Sequence, residues 1–192
     1  MKMLVTGVLV SAALATLSAQ APAPAPPLTL TTPAFAAGAD IPVKFTQAGP
    51  GAAPGEGTSP ALNWTNAPAG TASFLLHMHD LDVSRNKTTD DQVHWLVWNI
   101  PATATGLAEG MPKGATLPNG AYQFSATGQV YRGPGAPANG PKHHYVFELY
   151  ALDTKLDVAP LADAFESRTA VMKAAQGHIL AKSVYMGYFK RP

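Results

Sequence analysis

Histidines and aspartates stand at the ends of three apolar segments, where a rigid sheet could present them to a ligand. Asp80 and Asp82 follow the first segment, His94 directly precedes the second, and His143 opens the third. Imidazole titrates near pH 6.5, so a histidine can offer a ligand either a charged or a neutral hydrogen-bond donor. A neighbouring carboxylate can fix the tautomer of the ring. The three segments therefore predict a polar pocket at the strand ends.

Side-chain alternation along the predicted strands decides which histidines can share this pocket. Successive side chains of a strand point to opposite faces, which places His143 and Tyr145 on one face. His77 and His79 share a face of the first segment, whereas Asp80 points to the other. A β-bulge would reverse this assignment. Without one, we expect the pair of histidines to lie outside the pocket.

Short apolar and aromatic runs predict the strands that must position these groups. They cover residues 73–80, 94–100, 145–152 and 184–189. Residues 41–46 alternate apolar and polar side chains around a proline, which suits an edge strand. Ser167 is expected to cap a helix over residues 168–176, and Gly177 to end or interrupt it. The pattern indicates a mainly β sandwich with one or two C-terminal helices.

The N-terminal 21 residues predict a cleaved secretory signal peptide, with an uncleaved anchor as the alternative. Lys2 gives a positive start, residues 3–17 are apolar but short for a membrane span, and small residues follow. Alternating prolines in residues 22–27 are typical of an extended linker. Residues 28–192 are long enough for one domain with its own core. We therefore expect a periplasmic or secreted protein.

Composition argues against several classes of function. Charged residues make up 13% of the 192 residues and the net charge is +1, so no basic surface for nucleic acid is indicated. The absence of cysteine excludes disulfides, thiolate zinc sites and cysteine nucleophiles. Neither HExxH nor GxSxG occurs. We expect a binding protein without enzymatic activity or cofactor. A metalloenzyme built on His77, His79, Asp80 and Asp82 is a less favoured alternative.

Five sequence blocks occur in an order and at a spacing that resemble the phosphatidylethanolamine-binding protein family. They are SPALNW at 59–64, DLD at 80–82, HW followed by NIP within 94–101, YRGPG at 131–135 and GPKHHYVF at 140–147. The segment GHILA at 177–181 is similar to the bacterial branch called Raf-kinase-inhibitor-like. The resemblance covers nearly all of the chain from residue 28 onward.

The resemblance implies two antiparallel sheets packed as a Greek-key sandwich, with C-terminal helices and an anion pocket. Glycines in the pocket would let backbone N–H groups approach the ligand. The implied ligand is small and anionic or phosphorylated, and it could include a lipid headgroup. Inhibition of a periplasmic or extracellular protease or kinase is the alternative function. The implied ligand-binding residues are Asp80, Asp82, His94, Gly133, Gly135, His143 and Tyr145.

Overall fold

The computed structural model describes residues 25–85 and 87–192. The predicted signal peptide at 1–21 and the first half of the predicted linker lie outside these ranges. No helix among the described residues has the length and apolar character needed to cross a membrane. The strands are β1 (Thr29–Thr31), β2 (Leu62–Thr65), β3 (Ser73–Asp80), β4 (Gln92–Pro101), β5 (Gly106–Leu107), β6 (Tyr122–Phe124), β7 (His143–Leu152) and β8 (Ile179–Phe189), and the α-helix is α1 (Ala164–Ala175).

The strands form two antiparallel sheets. The smaller has the order β1-β2-β5 and the larger the order β6-β4-β3-β7-β8. Strand β3 lies at the centre of the larger sheet, and all eight of its residues are buried. A strand buried on both faces favours consecutive apolar residues, which accounts for the run Phe74–Leu76 in β3. The mainly β fold of two antiparallel sheets with a C-terminal helix is thus confirmed.

Two apolar cores cover the two faces of the larger sheet. Between the sheets, Trp64 of β2 packs with Phe74 of β3, whose ring centroid lies 5.3 Å away. On the other face, Val171 of α1 joins the buried Leu75 of β3 and Trp98 of β4. Full burial of such a side chain contributes about 1.5–3 kcal/mol. The alternation along β3 therefore sends neighbouring residues into different cores.

The helix begins earlier than predicted. Asp163 is its N-cap, and its Oδ1 accepts hydrogen bonds from the N–H groups of Phe165 (2.8 Å) and Glu166 (2.9 Å). Ser167 lies inside the helix and donates its hydroxyl to the Asp163 carbonyl, so the prediction of Ser167 as the cap was wrong. Both residue types favour caps, but the carboxylate of Asp163 reaches two free N–H groups at once. Gly177, at φ +83°, follows the helix end.

The edge strand predicted over residues 41–46 was also wrong. Val43–Phe45 form a 3-10 turn, in which the Phe45 N–H donates to the Pro42 carbonyl at 2.9 Å. Proline has no N–H for a strand ladder, and it favours the start of a turn. Only Asp40 makes an isolated bridge here, to Tyr188 of β8. Strands β1, β2, β5 and β6 were not predicted, because two to four residues are too few to show a periodicity.

Candidate functional site

One end of the larger sheet gathers the predicted pocket residues. Strands β4 and β7 flank β3 and run antiparallel to it, so both begin where β3 ends. Asp80, the last residue of β3, pairs with Gln92 on one side and Tyr145 on the other. His143 at the start of β7 and His94 near the start of β4 therefore meet at Asp80. The antiparallel order of the three strands brings these separated segments together.

A β-bulge in β4 turns His94 into this site. Met78 of β3 pairs with Trp95, and the next residue, His79, pairs with Val93, which leaves His94 as the extra residue. Such a bulge bends a strand and redirects a side chain. The His94 ring packs edge-on against Tyr145 at a centroid distance of 5.0 Å. His94 thus faces the same side of the sheet as Tyr145 and Asp80.

Asp80 lies beside both His94 and His143 and is almost completely buried. Its Oδ2 accepts a hydrogen bond from Nδ1 of His143 at 2.8 Å, and its Oδ1 accepts one from the backbone N–H of Asp82 at 3.0 Å. Because the carboxylate binds Nδ1–H, Nε2 of His143 remains for a ligand. The pair therefore holds one imidazole in a fixed orientation.

His94 supplies a neutral imidazole. Burial lowers its pKa to about 3, so the ring carries no charge near neutral pH. Its Nδ1–H donates to the carbonyl of Arg132 at 2.9 Å, which leaves Nε2 as a hydrogen-bond acceptor 4.0 Å from Oδ2 of Asp80. Of the charged or neutral roles that the sequence left open for this histidine, the structure favours the neutral one.

Arg132 is the cation of the site, and sequence reasoning missed this role. Arg132 is among the residues that line the pocket, its Nη1 donates to the Thr127 hydroxyl at 3.4 Å, and its buried Nε has no hydrogen-bond partner among the described residues. Burial and the nearby charge of Arg85 lower its pKa, but a guanidinium stays protonated. The sequence did contain a signal for this role, because the block YRGPG at 131–135 includes Arg132. A planar guanidinium next to a predicted anion pocket is suited to binding phosphate or carboxylate.

The pocket has a volume of about 160 Å³. Five of the seven predicted residues line it, together with Gln47, Gln92 and Arg132, which were not predicted. Gln47 donates its amide to the carbonyl of Gly133 at 2.8 Å, and its Oε1 faces Arg191 at 3.3 Å. The predicted residues in the lining are Asp80, His94, Gly135, His143 and Tyr145.

The two predicted glycines serve different parts of the structure. The N–H groups of Gly135 and Ala136 both donate to the Tyr145 hydroxyl at 3.1 Å, so they are already engaged in the described structure. Burial, followed by the charge of Asp80, raises the pKa of Tyr145, which keeps the hydroxyl protonated. Gly133 lies outside the lining, where a Cβ would come within 2.7 Å of the Thr46 carbonyl carbon. Gly133 therefore allows two backbone segments to pack closely.

Asp82 lies beside the lining rather than within it. Its Oδ2 accepts hydrogen bonds from the backbone N–H of His144 at 2.6 Å and from Nδ1 of the same residue at 2.9 Å. Partial burial raises the pKa of Asp82, but these hydrogen bonds outweigh it and bring the pKa below its usual value. In this structure Asp82 anchors the start of β7, next to His143.

Comparisons with known proteins agree with this fold. The family model described as phosphatidylethanolamine-binding protein matches residues 31–190. A protein of Methanothermobacter thermautotrophicus named UPF0098 is 36% identical over 166 residues, which are 85% of this chain and 99% of the relative. LppC of Mycobacterium tuberculosis, provisionally named a lipoprotein, is 35% identical over 162 residues, which are 83% of this chain and 73% of LppC.

A solved structure shows the same architecture. The crystal structure of YbcL from Escherichia coli, titled a member of the mammalian PEBP family, superposes with a TM-score of 0.70 at 27% identity. The match covers 86% of this chain and 99% of YbcL. Together with the family match over residues 31–190, this places the chain in the phosphatidylethanolamine-binding protein family, whose members are generally non-enzymatic binding proteins.

Proposed function

We propose that this protein binds a small anion, a phosphate or a phospho-headgroup, in the pocket at the end of β3. The observation that carries the proposal is the arrangement of the Asp80–His143 pair, the unpaired Nε of Arg132 and the neutral His94 around one cavity. Arginine is suited to phosphate and carboxylate oxygens. The description of the matching family model, a phosphatidylethanolamine-binding protein, supports the same class of ligand.

The mixture of donors and acceptors narrows the ligand chemistry. Arg132 donates hydrogen bonds to an anionic oxygen, whereas Nε2 of His94 and the carboxylate of Asp80 accept them. A fully deprotonated anion offers no donor to these two acceptors. A phosphate with one hydroxyl, or a phosphate joined to an ammonium group, satisfies both kinds of partner. We therefore expect hydrogen phosphate and phosphoethanolamine to bind more tightly than acetate.

The size of the pocket favours a headgroup over a whole lipid. Its volume of about 160 Å³ is that of about five water molecules in the liquid. Binding sites for drug-sized ligands usually measure about 300–1,000 Å³. Any acyl chain attached to the bound phosphate would therefore lie outside the cavity.

We infer an exported location for this binding activity. The inference rests on the charge and apolar pattern of residues 1–21. The provisional naming of LppC as a lipoprotein supports an envelope location for a relative. The 192 residues contain no cysteine to carry a lipid, so a soluble exported form is proposed. Cell fractionation with mass determination of the mature N-terminus tests this, and a cytosolic protein that retains residues 1–21 would contradict it.

The anion proposal is tested by NMR titration of the histidine ring signals with phosphate, acetate and phosphoethanolamine. We expect the signals of His94 and His143 to shift in a saturable manner. Arg132→Gln should weaken phosphate binding about tenfold or more, since a hydrogen bond to a charged group contributes about 1.5–3 kcal/mol. The matched control is Lys142→Gln, because Lys142 neighbours His143 but pairs with Asp40 at 2.7 Å. Unmoved ring signals, or equal losses in both variants, would refute the anion pocket.

A further inference from the structure

A second cluster of polar side chains lies on the opposite face of the larger sheet. His77 and His79 of β3 point away from Asp80, as the alternation predicts, toward the side covered by α1. Asp91 precedes β4, and Glu148 of β7 pairs with His77 across the ladder. These four side chains line an open pocket of about 600 Å³ beneath α1.

The distances between donor atoms suit a single ion. One donor atom from each of His77, His79 and Asp91 lies within 4.8 Å of the others. Oε2 of Glu148 lies 3.6 Å from Nε2 of His79 and 3.9 Å from Nδ1 of His77. Tetrahedral ligands with bonds of about 2.0–2.2 Å are separated by about 3.4 Å. Asp91 contacts Nδ1 of His79, whereas Glu148 lies beside Nε2 of the same ring, so a single ion can use only Asp91 together with that Nδ1. Small movements of His77, His79 and Asp91 would complete a set of three ligands, and Glu148 would be left to accept a hydrogen bond from Nε2 of His79.

Three histidine nitrogens of this cluster lack a hydrogen-bond partner within the described part of the chain. Nδ1 and Nε2 of His77 and Nε2 of His79 are buried and have no hydrogen-bond partner among the described residues. The side chains of His77 and His79 are only 6% and 9% exposed. Their rings stack at a centroid distance of 4.3 Å and an angle of 10°. Buried polar atoms are normally satisfied, so three orphaned nitrogens in one place point to a ligand.

The position of Asp91 suits a cation. Its Oδ2 lies 2.5 Å from Nδ1 of His79. An ion bound by both atoms would replace the proton that they share, because metal binding to an imidazole requires its unprotonated nitrogen. Arg168 contacts Oδ1 of Asp91 at 3.1 Å, so Oδ2 faces the imidazoles.

Contacts with Lys182 and Tyr150 fix the orientation of the Glu148 carboxylate. Lys182 pairs with its Oε1, and the hydroxyl of Tyr150 donates to its Oε2 at 2.6 Å. A carboxylate oxygen has two lone pairs, so Oε2 can still accept a further partner. These contacts keep the carboxylate ionised and aimed at the histidines.

We propose that His77, His79 and Asp91 bind one divalent transition-metal ion, with Glu148 as a hydrogen-bond partner of His79. Two imidazoles with a carboxylate are a donor set for Zn²⁺, Co²⁺ or Ni²⁺, whereas Ca²⁺ and Mg²⁺ prefer oxygen alone. Arg168 and Lys182 balance the charges of Asp91 and Glu148. The site lies across the sheet from the anion pocket and is independent of the proposed function.

Titration calorimetry of untagged, chelator-treated protein with Zn²⁺ in phosphate-free buffer tests the proposal. We expect one equivalent per chain and, with Co²⁺, visible absorption typical of a nitrogen and oxygen site. Removing one ligand by His79→Gln should weaken Zn²⁺ binding by at least the roughly 10- to 100-fold that loss of an outer-shell partner costs. Asp91→Asn provides a second variant if His79→Gln does not fold, as judged by circular dichroism and thermal unfolding.

Two control variants locate the ion. His178→Gln makes the same chemical change at an exposed histidine paired with Asp153, and it should leave binding unchanged. His143→Gln removes a donor from the other histidine and carboxylate cluster, which contains Asp80 and Asp82. The proposal is overturned by an absence of saturable binding, by equal losses in His79→Gln and His178→Gln, or by a loss confined to His143→Gln.

Discussion

Buried His94 should make the stability of the fold depend on pH in a way that one substitution removes. Its pKa is about 3 in the folded protein, against 6.5 as the ordinary value. Above pH 6.5 the ring is neutral in both states and carries no penalty. As the pH falls below 6.5, the unfolded chain binds a proton that the folded protein does not, so the free energy of unfolding decreases. The loss ends near pH 3, where the folded protein also binds the proton.

The magnitude follows from the interval between the two pKa values. Each pH unit within it costs about 1.4 kcal/mol, so His94 accounts for about 3 kcal/mol between pH 6.5 and about pH 4.5. The full interval down to about 3 corresponds to about 5 kcal/mol. Either amount is a large fraction of the 5–15 kcal/mol that typically stabilises a domain of about this size.

The measurement is urea unfolding of the wild-type protein and of His94→Gln at about pH 7 and about pH 4.5, with chelator present. Glutamine retains an amide N–H that can donate to the Arg132 carbonyl, but it does not titrate. On acidification, the free energy of unfolding of the variant should decrease by about 3 kcal/mol less than that of the wild type, whatever the stability of the variant at pH 7. Carboxylates and the other histidines titrate in both proteins, so their contribution cancels in the comparison.

His178→Gln is the matched control for this experiment. His178 is exposed and hydrogen-bonded to Asp153 at 2.7 Å, so its removal should not reduce the loss on acidification. An equal loss in the wild type and in His94→Gln would show that His94 accepts a proton in the folded state. That result would refute the neutral assignment and, with it, the role of Nε2 as an acceptor in the anion pocket.

Three further substitutions test the packing around the pocket and the helix. Tyr145→Phe leaves the buried N–H of Ala136 and the partly buried N–H of Gly135 without their acceptor, and urea unfolding should show a loss of about 1–3 kcal/mol. Gly133→Ala places a Cβ 2.7 Å from backbone atoms and should lower the free energy of unfolding by about 1–3 kcal/mol; an unchanged thermal midpoint would contradict the close packing. Asp163→Ala removes the N-cap and should cost about 1 kcal/mol in the same measurement, whereas a cap role for Ser167 would leave it neutral.

The convergence of Asp80, His94 and His143 could be predicted from sequence because each group stands at the end of a long apolar run. Alternation also placed His77 and His79 on the face opposite Asp80. The first prediction rests on the strand ends and on the matched sequence blocks, and the second on a period of two, which is a local property of strands. The family resemblance then supplied the order of the blocks and the two-sheet fold, which alternation alone cannot determine.

The remaining features depend on register and on irregular segments. The bulge at His94 adds one residue to β4, and nothing in a run of apolar residues marks where it falls. Arg132 reaches the pocket from a segment without regular secondary structure, whose path has no period to read. Glu148 faces His77 because β7 pairs with β3 in one particular register. Each of these contacts joins residues far apart in sequence, so local patterns could not predict it.

The end of β3 explains why this register must be strictly specified. His79 and Asp80 are neighbours in sequence, yet one faces the cluster beneath α1 and the other faces the anion pocket. A slip of one residue would exchange their faces and place an imidazole and a carboxylate against the wrong partners. The same slip would move Leu75 and Leu76 into each other's cores. The apolar half of the strand therefore holds the register that keeps the two polar sites apart.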